Sequence, residues 1–349
     1  IAETMQIFMY RPNVSRLFKH IEKYNEAQRK LPPIPETKFS TLKRSLSNLW
    51  DLFDFGYKLI PIKNYDPKFI TFLNRKKRWV DGRLYLPKSP KALVILDAGL
   101  NRGVDTSPKL GRILTRMGYA NASIHSDDEL LKDGAIDYME FIRHLRDNKE
   151  FEFVRSLPII FIGISGGGIV PYVCMASKQF LEENKVLGAV TIDIYANLAD
   201  QFRYSTVFTQ NYPTDRRSKV QLEYLNYAAS KGITPSNNPQ EFVDASPETY
   251  ILAIAYQMKT SEIKIKAMHG TSDKVVPMSN LEKIRKAFAD SGVNLDASYV
   301  PGEAVHNPEG EVMDLSDLTG MAIVSFTTFR TLKSWVKDYQ KEKQTQVSV

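Results

Sequence analysis

The sequence predicts an α/β protein with a mostly parallel central sheet, helices on both faces, a cap insertion and an N-terminal helical extension. Three observations predict it. Continuous apolar runs, clearest in Ala92-Leu93-Val94-Ile95-Leu96 and Pro158-Ile159-Ile160-Phe161-Ile162, have the composition of strands buried on both faces. Helical stretches separate these runs, the alternation that parallel strands need for their crossovers. A segment of 69 residues with no sheet-forming run then divides the strand that ends at Asp193 from the one that begins at Ile263.

Taken in order, the pattern is largely helical from Ile1 to about Lys68. It is broken at Leu31-Pro32-Pro33-Ile34-Pro35, where fixed φ angles and missing N–H groups stop a helix. Leu17, Ile21 and Tyr24 recur at helical spacing before the break. After it, Ser40 or Thr41 can cap a helix whose Leu42, Leu46, Leu49, Trp50 and Phe53 share a face. Residues 1–75 are therefore assigned to the helical extension and 76–349 to the main domain. Arg78-Trp79-Val80 and Arg83-Leu84-Tyr85-Leu86-Pro87 read as a β-hairpin turned at Asp81-Gly82. The strand Ala92–Leu96 follows, then a helix near Pro108–Met117, a strand near Tyr119–Ile124, a helix near Ile136–Leu145 and the strand Pro158–Ile162. Further strands are expected at Val186–Ile192, Ile263–Met268 and Ala297–Val300, and a terminal helix from about Leu318 to Tyr339. Residues 198–247, with turn signals at Pro213, Pro235 and Pro239, are read as an insertion over the carboxyl edge of the sheet, where open α/β sheets bind ligands.

Composition narrows the function classes. The chain has 349 residues, 43% hydrophobic and 25% charged, which excludes collagen-like, low-complexity and wholly disordered classes and leaves room for one large domain with additions. The one cysteine, Cys174, excludes an internal disulfide framework and a thiolate zinc cluster. No apolar run approaches the roughly 20 residues of a membrane helix, and the start IAETMQIF has no secretory pattern. A cytoplasmic location is the expectation, with a processed N-terminus left open. The net charge of +7 is concentrated early, since residues 1–91 hold 19 Lys and Arg against 8 Asp and Glu. Without a zinc finger, RNP motif or basic zipper this charge implies no nucleic-acid partner. Arg75-Lys76-Lys77-Arg78 is read as a solvated turn, with an anionic membrane surface or an acidic partner as the alternative.

The chemistry sits in Gly163-Ile164-Ser165-Gly166-Gly167-Gly168, directly after an apolar strand and before the helix-compatible stretch Ile169–Lys178. A serine in a sharp strand-to-helix turn, with glycines two before and two after, has its hydroxyl lifted clear of the sheet. A phosphate loop needs a Lys that is absent here, and the dinucleotide fingerprint needs a second glycine where Ser165 stands. A serine needs an imidazole base, and the imidazole a carboxylate. Of the five histidines, His20, His144 and His125 lie away from suitable strand ends or on an early one. His269 is read as support for the following loop. His306, in the loop after the last strand, is the candidate base. Asp273, in His269-Gly270-Thr271-Ser272-Asp273-Lys274-Val275-Val276-Pro277, is the candidate carboxylate, with Asp193 as the alternative acid.

The order Ser165, Asp273, His306 and these three separate motifs resemble the α/β-hydrolase superfamily over about residues 76–340, and the acid loop is similar to those of prolyl-oligopeptidase-like hydrolases and many carboxylesterases. The resemblance implies an oxyanion hole with one donor at the N–H of Gly166 and a second at Leu100 or Gly99, although Asp97-Ala98-Gly99-Leu100 replaces the His-Gly of many lipases. It also implies a serine hydrolase that cleaves small-molecule carboxylic esters of short or medium acyl chain through an acyl-enzyme, with no metal or organic cofactor. A prolyl-oligopeptidase-like peptidase, a thioesterase and a non-catalytic binding protein are the alternatives. Tyr204, Phe208, Tyr212, Tyr224 and Tyr227 of the insertion suggest either a pocket wall or packing.

Overall fold

A computed structural model describes residues 67–99, 108–128, 130–306 and 315–347. The helical extension, except for its last few residues, therefore lies outside the described residues. Eight strands form one sheet: β1 (Lys68–Leu73), β2 (Trp79–Tyr85), β3 (Leu93–Asp97), β4 (Ala120–His125), β5 (Ile159–Ile164), β6 (Val186–Ile192), β7 (Lys264–Gly270) and β8 (Asp296–Val300). Their order is β1-β2-β4-β3-β5-β6-β7-β8. The pairs β1/β2 and β2/β4 are antiparallel, and the other pairs are parallel.

The central strands are buried throughout, β3 and β6 at every position, which is why their sequences do not alternate. The helices are α1 (Pro108–Arg116), α2 (Lys132–Asp147), α3 (Ile169–Ala176), α4 (Lys178–Glu183), α5 (Leu198–Asn211), α6 (Arg217–Ser230), α7 (Pro239–Asp244), α8 (Ile251–Thr260), α9 (Ser279–Asp290) and α10 (Leu315–Val347). Phe141 of α2, Tyr172 and Val173 of α3 and Phe288 of α9 belong to the core layer on one face of the sheet. Leu114 of α1 and Leu332 and Val336 of α10 close the other. Helices α5, α6 and α7 form the expected insertion and enclose a separate cluster around Leu198, Leu222, Leu225 and Phe242.

Two boundaries differ from the sequence expectation. Lys68–Leu73 is a strand, so the sheet begins inside the span assigned to the extension. The hairpin is β1/β2, turned at Asn74–Arg78, where the Asn74 side chain accepts N–H bonds from Lys76 and Arg78. Asp81-Gly82 is not a turn but the middle of β2, because the bare Gly82 backbone lies against Phe141: a Cβ there would stand 2.7 Å from the Phe141 ring. The basic run does form that turn, yet Lys76 and Arg78 reach Asp128, a carboxylate that also takes Lys231 from the insertion at 3.0 Å. No helix among the described residues is long and apolar enough to cross a membrane.

Candidate active site

Ser165 follows β5 at a φ of +54°, left-handed backbone that a β-carbon makes costly and that is stored where a fold over-determines it. The turn is held by close approach. A Cβ on Gly167 would stand 2.4 Å from the Asp97 carbonyl oxygen, so only glycine lets the helix start this near β3. Pro171 is tolerated in the first turn of α3, where its missing N–H would have no intrahelical acceptor.

His306 lies in the loop after β8, and its Nδ1 is 2.7 Å from Oδ2 of Asp273, both residues being buried. Asp273 Oδ1 accepts the N–H groups of Val275 at 2.8 Å and Val276 at 3.0 Å, which fixes the carboxylate plane. Ser165 and His306 line one cavity of about 490 Å³, which falls in the ordinary range for small-molecule sites. The three residues named from the sequence are thus brought to one place by β5, β7 and β8.

Asp193, the alternative acid, spends both oxygens on backbone. Oδ1 accepts the N–H of Gly270 at 2.7 Å and Oδ2 that of Val305 at 3.0 Å. Complete burial, with the Asp273 carboxylate as second cause, pushes its pKa up. It therefore ties the loop that bears Asp273 to the loop that bears His306. His269 supports its own loop, as expected, with Nε2 2.8 Å from the Val276 carbonyl.

Of the candidate oxyanion donors, Leu100 lies outside the described residues. The N–H of Gly99 points to Asp97 Oδ1 at 2.9 Å, so this donor is committed within its own loop. Gly99 has a φ of +85°, and its backbone presses on the serine turn: a Cβ there would lie 3.0 Å from the N of Gly166. Asp97 thus orients the loop, its carboxylate turned back onto the Gly99 amide.

Sequence reasoning missed the insertion's grip on the acid loop. The Nε2 groups of Gln201 (α5) and Gln221 (α6) both donate to the Val275 carbonyl, at 2.8 and 2.7 Å. Tyr204 Oη donates to the Lys274 carbonyl at 2.8 Å. Arg217 pairs with Glu303, three residues before His306, at 2.6 Å. The signal available in the sequence was two glutamines on neighbouring insertion helices, too common a feature to read alone. Of the five insertion aromatics, only Tyr224 lines the cavity. Tyr204, Phe208 and Tyr212 pack against one another as tilted pairs with ring centroids 5.7 and 5.1 Å apart, and so serve as packing.

No protein-family model matches the chain, and no curated protein sequence matches it. Solved structures do. An acylaminoacyl peptidase from Pyrococcus horikoshii is 13% identical with a TM-score of 0.53, the match covering 78% of this chain and 42% of that one. A protein described as a putative dipeptidyl aminopeptidase IV from Bacteroides ovatus gives 12% identity and a TM-score of 0.53 over 78% of this chain and 36% of the other. A puromycin-hydrolyzing peptidase from Mycobacterium tuberculosis gives 15% and 0.51 over 69% and 36%. This chain therefore spans well under half the length of these proteins. Together with the strand order and the serine turn, the likeness defines the fold: it is an α/β-hydrolase fold, with a helical insertion over the carboxyl ends of its strands.

Proposed function

We propose that this protein is a serine hydrolase in which Ser165 is the nucleophile, His306 the base and Asp273 the acid that orients the base. One observation carries the reading: a serine in strained backbone at a strand end shares its cavity with a histidine whose far nitrogen is held 2.7 Å from a buried carboxylate. In that arrangement His306 Nε2 takes the Ser165 hydroxyl proton as Oγ attacks the substrate carbonyl. Asp273 holds Nδ1–H and stabilises the imidazolium. The amide of Gly166 faces the developing oxyanion. His306 returns the proton to the leaving group, then activates water to release the acid from the acyl-enzyme.

The bond cleaved is proposed to be a carboxylic ester of short or medium acyl chain. The amide reading is favoured by the fold neighbours, which are described as peptidases, and a thioester fits the same chemistry. Two experiments test the proposal in order. Intact-mass analysis after exposure to a fluorophosphonate should show a single adduct on the wild type and none on Ser165→Ala; no adduct on folded wild-type protein sinks the nucleophile assignment and favours a binding protein. Matched ester, thioester and anilide substrates of one acyl group then rank the bond classes, and an anilide turned over faster than its ester would replace the ester reading with the peptidase one.

A further inference from the structure

One side of α6 reaches both loops that carry the proposed acid and base. Arg217 and Gln221 stand four residues apart on that helix, so their side chains lie one above the other on the same face. Gln221 donates to the Val275 and Lys274 carbonyls in the loop of Asp273. Arg217 goes to the loop of His306. Its Nε and Nη2 both stand 2.6 Å from Oε1 of Glu303, and the two side chains are only 14% and 6% exposed. The guanidinium is itself braced, since Asp215 Oδ1 accepts the Arg217 amide at 2.8 Å and Nη1 at 3.2 Å.

Glu303 governs where His306 can lie. Five residues separate the end of β8 at Val300 from His306, and two of them, Gly302 and Ala304, take φ values of +71° and +51°, so the loop is a forced turn that its surroundings must hold. The turn closes where the Glu303 carbonyl accepts the His306 amide at 3.1 Å. Its other anchors grip backbone: the Glu303 amide donates to Asp317 Oδ1 at 2.8 Å, the Gly302 carbonyl accepts the Ser272 amide at 2.9 Å, and the Val305 amide reaches Asp193. Glu303 supplies the one charged side chain between Val300 and His306, and its buried carboxylate meets the Arg217 guanidinium. Removing either partner leaves the other charge uncompensated in the interior, and the backbone that carries it must move to relieve this. We propose that Arg217 and Glu303 are positioning residues for His306, the insertion fixing the base through this pair as it holds the acid loop through Gln221. The proposal rests on the serine hydrolase reading above and gives the insertion a part in the reaction.

The test follows fluorophosphonate labelling of Ser165 in the full-length protein by intact mass over a range of probe concentrations, which separates the rate of the chemical step, kinact, from probe binding, KI. A misplacement of about 1 Å costs up to about a hundredfold in rate, so Arg217→Gln should lower kinact about tenfold to a hundredfold with KI nearly unchanged. Arg217→Lys keeps the charge without the fork and should fall between it and wild type. Glu303→Gln should match Arg217→Gln, and the double variant should cost no more than either single one, because the two act as a unit. Lys231→Gln breaks the insertion's other buried pair, with Asp128 at 3.0 Å, and should leave kinact at the wild-type value. The far-downfield proton resonance of His306 Nδ1–H reports its bond to Asp273 directly; it should shift or broaden in Arg217→Gln and stay in place in Lys231→Gln. Wild-type kinact in Arg217→Gln, or an equal loss in Lys231→Gln, overturns the inference while the serine hydrolase reading stands. If Arg217→Gln does not fold, Arg217→Lys decides: a reduced kinact with native circular dichroism supports the pair, and wild-type kinact overturns it. No labelling of folded wild-type protein overturns the serine hydrolase reading and the inference with it.

Discussion

Replacing Gln221 by Leu isolates the insertion's hold on the loop that carries the Asp273 carboxylate. Gln221 is 1% exposed, and Leu nearly preserves its volume, so the change removes hydrogen bonds and little packing. The Nε2 bonds to the carbonyls of Val275 at 2.7 Å and Lys274 at 3.2 Å are lost. So is the acceptor for Ser205 Oγ at 2.5 Å. The two carbonyls keep one donor each, Gln201 at 2.8 Å and Tyr204 at 2.8 Å, so neither is stranded. The Ser205 hydroxyl still accepts from Gln201 Nε2 at 3.3 Å but loses the acceptor for its own proton. One orphaned buried donor and one net hydrogen bond amount to about 2–3 kcal/mol, which for a domain of this size lowers Tm by about 3–5 °C. The loop that then slackens is the one whose amides fix Asp273, so kcat toward a small ester such as p-nitrophenyl acetate should fall about tenfold with KM nearly unchanged, equivalent to about 1.4 kcal/mol of lost positioning. Thermal unfolding and steady-state kinetics well below Tm measure the two effects separately. A variant that loses stability but keeps its kcat would show that the insertion holds only itself, and an unchanged Tm would refute the bookkeeping.

Three further substitutions probe other joints. Asp273→Asn leaves the bonds from Val275 and Val276 available yet offers His306 the wrong partner, so kcat should drop by three to four orders of magnitude while circular dichroism stays native. Gly99→Ala forces a Cβ into positive-φ backbone 3.0 Å from the Gly166 nitrogen; a loss of about 1–2 kcal/mol in stability and slower fluorophosphonate labelling are expected, and wild-type values for both would remove this loop from the site. Asp128 opposes its own burial with hydrogen bonds from Arg78, Lys231 and Lys76, which carry its pKa well below the usual carboxylate range. A lowered native pKa gives stability that is present above the unfolded value near 4 and is lost as pH falls through the native one. Asp128→Asn should therefore cost about 1–2 kcal/mol at pH 7, discounted for its partly exposed partners, and the gap to wild type in urea titrations should narrow on acidification.

The parallel core was legible because burial on both faces writes itself as unbroken apolar runs, and β3, β5 and β6 fall where those runs are. The first hairpin was not, because Asp-Gly is a strong turn signal and only a neighbouring helix explains it otherwise: Phe141 needs a flat partner, and Gly82 supplies it. Ser165, His306 and Asp273 could be singled out as candidates because each belongs to a short motif fixed to a strand end. What escaped is the chemistry that arises only when distant helices meet. The hydrogen bonds from Gln201 and Gln221 to one carbonyl join residues 74 and 54 positions apart in the chain. The Gly99 donor illustrates the reverse failure: its place in the loop was foreseen, but the side chain two residues earlier captures its N–H.

Asp193 shows how local cost and global order are connected. It sits at the end of β6 with a φ of +51°, as Ser165 sits at the end of β5 with +54°, and such backbone costs of order 1–3 kcal/mol at each position. Asp accepts this conformation better than most residues. The strain turns its carboxylate back across β7, where one oxygen meets the Gly270 amide and the other the Val305 amide. A carboxylate so occupied is poorly placed to serve a histidine, and the nearest ring nitrogen, on His269, is 4.0 Å away. Asp273, in the loop after β7 and so two strands across the sheet from the serine's β5, keeps one oxygen for its own loop and one for His306. The division of labour between two buried acids thus follows from which amides surround them: Asp193 is consumed by backbone and sets where the loops lie, and Asp273 retains a free edge and is the one that can orient a base.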